Sequence, residues 1–133
     1  MSNLSYHEQI DRDNILHLRQ LLQELPLFCS QYFRGIEPRT SSRTRIAYAY
    51  DLKVFFDFLI NEHPDFCQTM IKEIQLEQLD ELHVSDIEEY MEYLKYRFNE
   101  KNQEIINKER GIIRKISSLK SFYNYFFRLE KIK

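Results

Sequence analysis

Apolar residues recur along this chain at helical spacing, and the breaks between the runs divide it into a small set of helices. Ile15, Leu18, Leu22 and Leu25 fall at i, i+3, i+7 and i+10, so the spacing predicts a first helix from about Asp13, as N-cap, to Leu25. Pro26 interrupts the pattern and suits the first position of a short second helix, Leu27 to Phe33. Residues Arg34 to Arg39 read as a connector. Ser41 or Ser42 can cap a long third helix that runs to about Asn61. Its Ile46, Ala47, Tyr50, Leu52, Val54, Phe55, Phe56, Phe58, Leu59 and Ile60 wrap most of the circumference, which predicts a central helix packed from several sides. His63-Pro64 ends it.

The stretch Asp65 to Leu82 predicts a short helix plus a turn. Ser85-Asp86-Ile87-Glu88 has the spacing of a capping box, opening a helix with Ile87, Tyr90, Met91, Leu94 and Phe98 on one stripe. A polar loop follows from Asn99. A last helix is predicted from about Asn107 to Leu129. Ile112, Ile116, Leu119, Tyr123, Phe126 and Phe127 take one side of it. Arg110, Arg114, Ser117, Ser121, Asn124 and Arg128 take the other, a cationic face with small hydroxyls and no acid. That shape suits a nucleic-acid groove. Ser117 has a second reading, as a small residue that lets helices approach closely.

Composition narrows the fold further. Two Gly and three Pro in 133 residues are too few for the tight turns of an all-β domain. The expectation is an all-α, compact bundle of four to five helices. The 10 Phe and 9 Tyr supply large rings for its core. Cys29 and Cys67 lack CxxC spacing, which excludes a disulfide framework; both are expected to be small buried hydrophobes in a reducing cytoplasm. The polar start shows no signal-peptide core, and no apolar run is long enough to span a bilayer, so a cytoplasmic location and no membrane partner are expected.

The formal net charge of −2 does not by itself suggest a nucleic-acid binder. The distribution changes the picture. Acids crowd residues 61–100, opposed only by Lys72, Lys95 and Arg97, whereas residues 101–133 hold nine Lys or Arg against Glu104, Glu109 and Glu130. Such segregation can aim a basic face at an anion, but it also arises when helix faces are simply solvated. Catalytic signatures are missing. His7, His17, His63 and His83 lack metal-ligand spacing, no GxxxxGK[ST] loop occurs, and the adjacent Glu88 and Glu89 diverge on a helix.

Three stretches together carry a family resemblance. Ser41-Ser42-Arg43-Thr44-Arg45-Ile46-Ala47-Tyr48-Ala49-Tyr50-Asp51-Leu52-Lys53-Val54-Phe55-Phe56-Asp57-Phe58-Leu59 is similar to the pattern S-x-x-T-x-x-x-Y-x-x-D-L-x-x-F-x-x-F-L that opens the core-binding domain of tyrosine recombinases, the phage-integrase family. Leu79 to Met91 resembles that family's L-x-x-I-T-x-x-D-I-x-x-Y-L turn and helix. Arg114-Lys115-Ile116-Ser117-Ser118-Leu119-Lys120-Ser121-Phe122-Tyr123-Asn124-Tyr125-Phe126 resembles its R-x-L-S-A-L-R-S-F-Y-x-Y-L helix. Order and spacing agree from about Ser41 to Leu129. Gly111 departs from the Thr or Ser usual at the start of the last helix.

The resemblance implies a SAM-like core-binding domain over residues 41–133, with an extra N-terminal helix in the preceding helical extension and connector over 1–40. It implies a non-catalytic chain, because the family's Arg, Lys, His and nucleophilic Tyr lie in a larger C-terminal domain, and no catalytic residue is carried over. The implied partners are double-stranded DNA at a recombination site and neighbouring recombinase protomers. No cofactor, metal or small-molecule substrate is expected. The candidate DNA contacts are Ser41, Ser42, Arg43, Thr44 and Arg45 at the start of the third helix. On the last helix they are Lys108, Arg110, Arg114, Lys115, Ser117, Lys120 and Ser121. Arg45 and Lys53 have a surface alternative, pairing with Asp51 or Asp57. The rival function is a helical protein–protein interaction or oligomerisation module without DNA binding. Tyr123 and Tyr125 are expected to pack in the core.

Overall fold

A computed structural model describes residues 5–99 and 101–129 as an all-α bundle. Its helices are α1 (Tyr6–Leu22), α2 (Cys29–Ile36), α3 (Ser42–Glu62), α4 (Leu76–Asp80), α5 (Val84–Lys95) and α6 (Glu109–Arg128). Short 3-10 turns occupy Glu37–Arg39 and Ile71–Glu73, and a two-stranded hairpin joins α5 to α6.

The central helix is α3, as its all-round apolar pattern predicts. Ser41 caps it, its hydroxyl accepting from the Thr44 amide at 3.1 Å. Against it pack α1, α5 and α6. Aromatic rings fill the space between. Phe28 meets Phe56, Phe122 and Phe126 at centroid distances of 6.1, 5.8 and 6.0 Å, mostly edge-on. A second group joins Tyr90 to Phe55 and Phe58 at 5.1 and 5.3 Å. Such edge-to-face pairs contribute about 0.5–1.5 kcal/mol each beyond the area they bury. Leu18, Leu21, Leu25, Tyr32 and Phe33 belong to the same buried cluster as Leu52, Leu94 and Phe122. Residues before and after position 40 thus share one buried cluster.

Several expected boundaries move. Helix α1 starts eight residues before Asn14, at Tyr6, because the Ser5 hydroxyl accepts from the Glu8 amide at 3.2 Å; Asp13 lies inside the helix, paired with Arg12. α1 also stops at Leu22. The second helix begins at Cys29 and runs to Ile36, absorbing half of the expected connector.

The Ser85 capping box does not form. Helix α5 is capped two residues earlier, where the Asp86 carboxylate accepts from the His83 amide at 2.8 Å while its other oxygen meets His63 Nε2 at 3.0 Å. That anchor to the end of α3 fixes the start. The expected stripe of α5 is buried at Tyr90 and Leu94 only; Met91 is exposed, and Phe98 lies beyond the helix on the hairpin, half-exposed.

The polar loop after α5 is folded, not open. Arg97 and Phe98 pair with Ile105 and Glu104 in antiparallel register. Asn99 accepts from the Lys101 and Gln103 amides at 2.9 Å each, and Asn102 takes the left-handed conformation that Asn tolerates. α6 begins at Glu109 and not at Asn107, because Asn107 is engaged elsewhere. Its amide donates to the Leu94 carbonyl at 3.1 Å and its side chain accepts from Arg97. Cys29 is fully buried, but Cys67 is exposed, its thiol donating to the His63 carbonyl. Among the described residues no helix is long and apolar enough to cross a membrane.

Candidate nucleic-acid interface

Helix α6 presents two faces, but they are not divided quite as periodicity suggests. Ile112, Leu119, Phe122 and Phe126 are buried, and Ile116 is partly so. Phe127 points outward, 62% exposed. Tyr123 and Tyr125 pack at the core edge with their hydroxyls donating to the carbonyls of Leu79 and Gln31. Tyr123 is buried enough that its phenol is pushed well above the usual range, mainly by desolvation.

On the other side, Arg110, Arg114, Ser117, Lys120, Asn124 and Arg128 are all exposed, and Ser121 is half-buried with its hydroxyl 2.9 Å from Tyr32. Arg39, at the end of the connector, reaches the same place. A depression of about 530 Å³ is lined by Arg39, Ser117, Lys120, Ser121, Asn124, Tyr125, Arg128 and Leu129. Three cations and four hydroxyl or amide groups line it, and among the described residues no acid does. The connector reading hid Arg39; its only sequence signal is a basic residue directly before the Thr40-Ser41-Ser42 run that starts α3.

Three of the expected contact residues turn inward. Lys115 is 7% exposed, and its ammonium lies 3.1 Å from Asp51 Oδ1. Arg45 is 6% exposed and donates to the backbone carbonyls of Thr40 at 2.7 Å and Glu37 at 3.2 Å, which ties the connector to α3. Ser42 is buried, its hydroxyl accepting from Asn14 at 3.3 Å and fastening α1 to the start of α3. The physical reason is common to all three. Each lies on the buried stripe of its own helix, and a long cationic stem or a small hydroxyl can cover apolar surface while its polar end finds a partner. Their polar groups are thus occupied in holding the helices together.

At the start of α3, Arg43 is exposed and Thr44 half-buried. The Ser41 hydroxyl both accepts from the Thr44 amide and donates to the Thr44 hydroxyl at 3.0 Å, so this pair is already committed to capping. Lys108, just before α6, is exposed. Among the described residues, no hydrogen bond or ion pair joins Ser41, Arg43 or Thr44 to the face of α6.

Asp51 is the hub between α3 and α6. It is 3% exposed, and it accepts from Arg114 at 3.0 Å, Lys115 at 3.1 Å and Ser118 at 2.7 Å. Arg45 does not reach it, whereas Lys53 does pair with Asp57, at 3.3 Å. Arg110 and Arg128 have no ion pair to an acid among the described residues, whereas Arg114 is paired with Asp51.

No family model matches the chain, and no solved structure matches it. A curated protein does, the tyrosine recombinase XerC of Caldanaerobacter subterraneus subsp. tengcongensis, with 31% identity over 107 residues. The match takes in 76% of this chain and 28% of the relative, so the chain corresponds to little more than a quarter of that protein's length. Over three quarters of its residues, then, this all-α chain is similar to part of a tyrosine recombinase.

Proposed function

We propose that this chain is the DNA-binding part of a site-specific tyrosine recombinase. It holds one side of a duplex through α6 and the connector into α3, and leaves strand cleavage and rejoining to the rest of a longer parent. The observation that carries the reading is the depression where Arg39, Lys120 and Arg128 converge beside Ser117, Ser121 and Asn124, with no acid among its described lining residues. Cations of this density attract phosphate oxygens, and neighbouring hydroxyl and amide groups add hydrogen bonds to backbone or base edges. Arg110, Arg114 and Lys108 extend the charge toward the start of α6, and Arg43 adds to it at the start of α3. Ser42, Arg45 and Lys115 support this surface from beneath without touching the nucleic acid. The similarity to a recombinase supports duplex DNA at a recombination site as the partner, and the cluster of exposed cations supports this face.

Affinity for phosphates alone is salt-sensitive, with a slope of about −0.9 per contact, so a handful of contacts makes a weak binder in isolation. The test is fluorescence anisotropy with a labelled duplex at low salt. Arg39→Glu combined with Lys120→Glu abolishes binding if the reading holds, while thermal unfolding stays unchanged because both side chains are exposed. Unaltered binding by that variant places the nucleic acid elsewhere and refutes the assignment.

A second surface favours a protein partner as well. Leu79, Leu82, Val84, Ile87, Ile116, Leu119, Tyr123 and Phe127 line a mostly apolar groove of about 440 Å³, rimmed by Asp80 and His83 and by Lys120 and Asn124, which it shares with the cationic depression; Val84 is 76% and Phe127 62% exposed. A neighbouring recombinase protomer is the occupant this reading proposes. Sedimentation with and without duplex separates the two roles; a stable oligomer indifferent to DNA favours the interaction module over the DNA binder.

A further inference from the structure

Arg114 differs from the other arginines of α6 in being held. Its side chain is 63% exposed, yet Nη2 donates to Asp51 Oδ1 at 3.0 Å. Asp51 itself is fixed. Its side chain is 2% exposed, and donors from neighbouring turns of α6, the Lys115 ammonium and the Ser118 hydroxyl, complete its coordination. We infer that Asp51 is a positioning residue for DNA contact: it grips one edge of the Arg114 guanidinium and presents the remaining donors to a phosphate oxygen. The inference rests on the DNA-binding reading above and deepens it.

Three observations combine. A guanidinium has five donors, and no hydrogen bond other than that to Asp51 is seen from Arg114 among the described residues, so the outer edge of the fork stays open for a second anion. A free arginine loses rotamer freedom when it binds; one already anchored at its tip loses less, which is the benefit of preorganisation. Finally, Lys115 lies against the same carboxylate oxygen. The buried ammonium balances the Asp51 charge, so the Arg114 charge is not cancelled by its anchor and still acts on a phosphate. Lys115 therefore serves the interface from inside.

The test uses the full chain and a labelled duplex. Asp51→Asn with Lys115→Met removes the buried pair together, leaves the net charge unchanged and keeps an acceptor for Ser118. Binding is expected to weaken about three- to tenfold, the loss associated with one unanchored side chain. In an Arg114→Gln background the same two substitutions should cause no further loss, an outcome that a merely structural role of Asp51 would not give. Wild-type affinity in the double variant overturns the inference, as does an equal loss with and without Arg114. If the wild-type chain does not bind duplex at low salt, the DNA reading itself falls and takes this inference with it. If instead the double variant does not fold, the Arg114 Nε–Hε resonance of the wild-type protein decides, assigned by its absence in Arg114→Gln. Slow guanidinium rotation before DNA is added supports the anchor, and a freely averaging group overturns it.

Discussion

Replacing Asp51 by alanine is the most informative perturbation of the fold. Asp51 and Lys115 are both nearly inaccessible, with side chains 2% and 8% exposed and 3.1 Å between charged atoms. Removing the carboxylate strands an ammonium inside the α3–α6 contact, and breaking one side of such a buried pair costs about 3–5 kcal/mol. Arg114 adds little to that figure; at 63% exposure its ion pair is worth about 0–1 kcal/mol. Ser118 loses its acceptor too, which raises the cost within the same range. Against a domain stability of about 5–15 kcal/mol, this is a large fraction. With a urea dependence of about 1–3 kcal/mol per molar, the unfolding midpoint should fall by roughly 2 M. Lys115→Met in the same chain should restore most of the loss, because an apolar side chain of similar length replaces the stranded charge. Urea unfolding of the two single variants and the double variant, followed by circular dichroism, closes the cycle. A cost below about 1 kcal/mol for Asp51→Ala, or no recovery on adding Lys115→Met, would refute the claim that the buried Lys115 ammonium depends on Asp51 for its compensation.

Other consequences are as direct. Tyr90 is fully buried between Phe55 and Phe58, and its hydroxyl has no hydrogen-bond partner among the described residues; Tyr90→Phe should therefore be neutral or stabilise by up to about 1 kcal/mol in chemical denaturation. Gly35 packs under the Tyr125 ring so closely that a Cβ there would overlap the phenol, so Gly35→Ala should cost about 1–3 kcal/mol in the same assay. Burial pushes the Tyr32 phenol up to about 12 and raises Tyr90 and Tyr123 as well. Folding favours their neutral forms, so this stability is complete below pH of about 10 and is lost as the pH climbs through the folded values. A spectrophotometric titration should show these tyrosines ionising only with alkaline unfolding, and ordinary titration of all nine near pH 10 would contradict their burial.

Much of the architecture is legible in the residues, and the exceptions have identifiable causes. The start of α3 is readable because Ser41 is a good cap before a long apolar helix, and the capping bond forms there. The early start of α1 is hard to read because its first two turns are mostly polar and give no apolar period, although Ser5 and Glu8 carry capping-box spacing. The hairpin leaves no trace in hydropathy, since each strand is only two residues long. Tertiary contacts decide the start of α5, where Asp86 must satisfy both the His83 amide and His63; local sequence favours Ser85 instead.

At the interface, the exposed arginines follow from helical phase alone. The inward cations also obey it. Lys115 lies three residues after Ile112 and four before Leu119, and Arg45 lies four before Ala49 and seven before Leu52, each on a buried stripe. Residue type suggested phosphate contact; position on the wheel told against it. Arg39 was hidden for the opposite reason, since a connector has no phase to read, and only the folded turn carries it to α6.

Duplex binding by the exposed cations around α6 has a direct readout in its salt dependence. Titration of a labelled duplex at several salt concentrations should give a steep linear loss of affinity with log salt, at about 0.9 per phosphate contacted. Arg128→Gln should make that slope shallower by about one contact and leave the fold intact. A wild-type chain that ignores duplex at low salt, or a slope untouched when Arg128, Lys120 and Arg39 are neutralised together, would contradict the account.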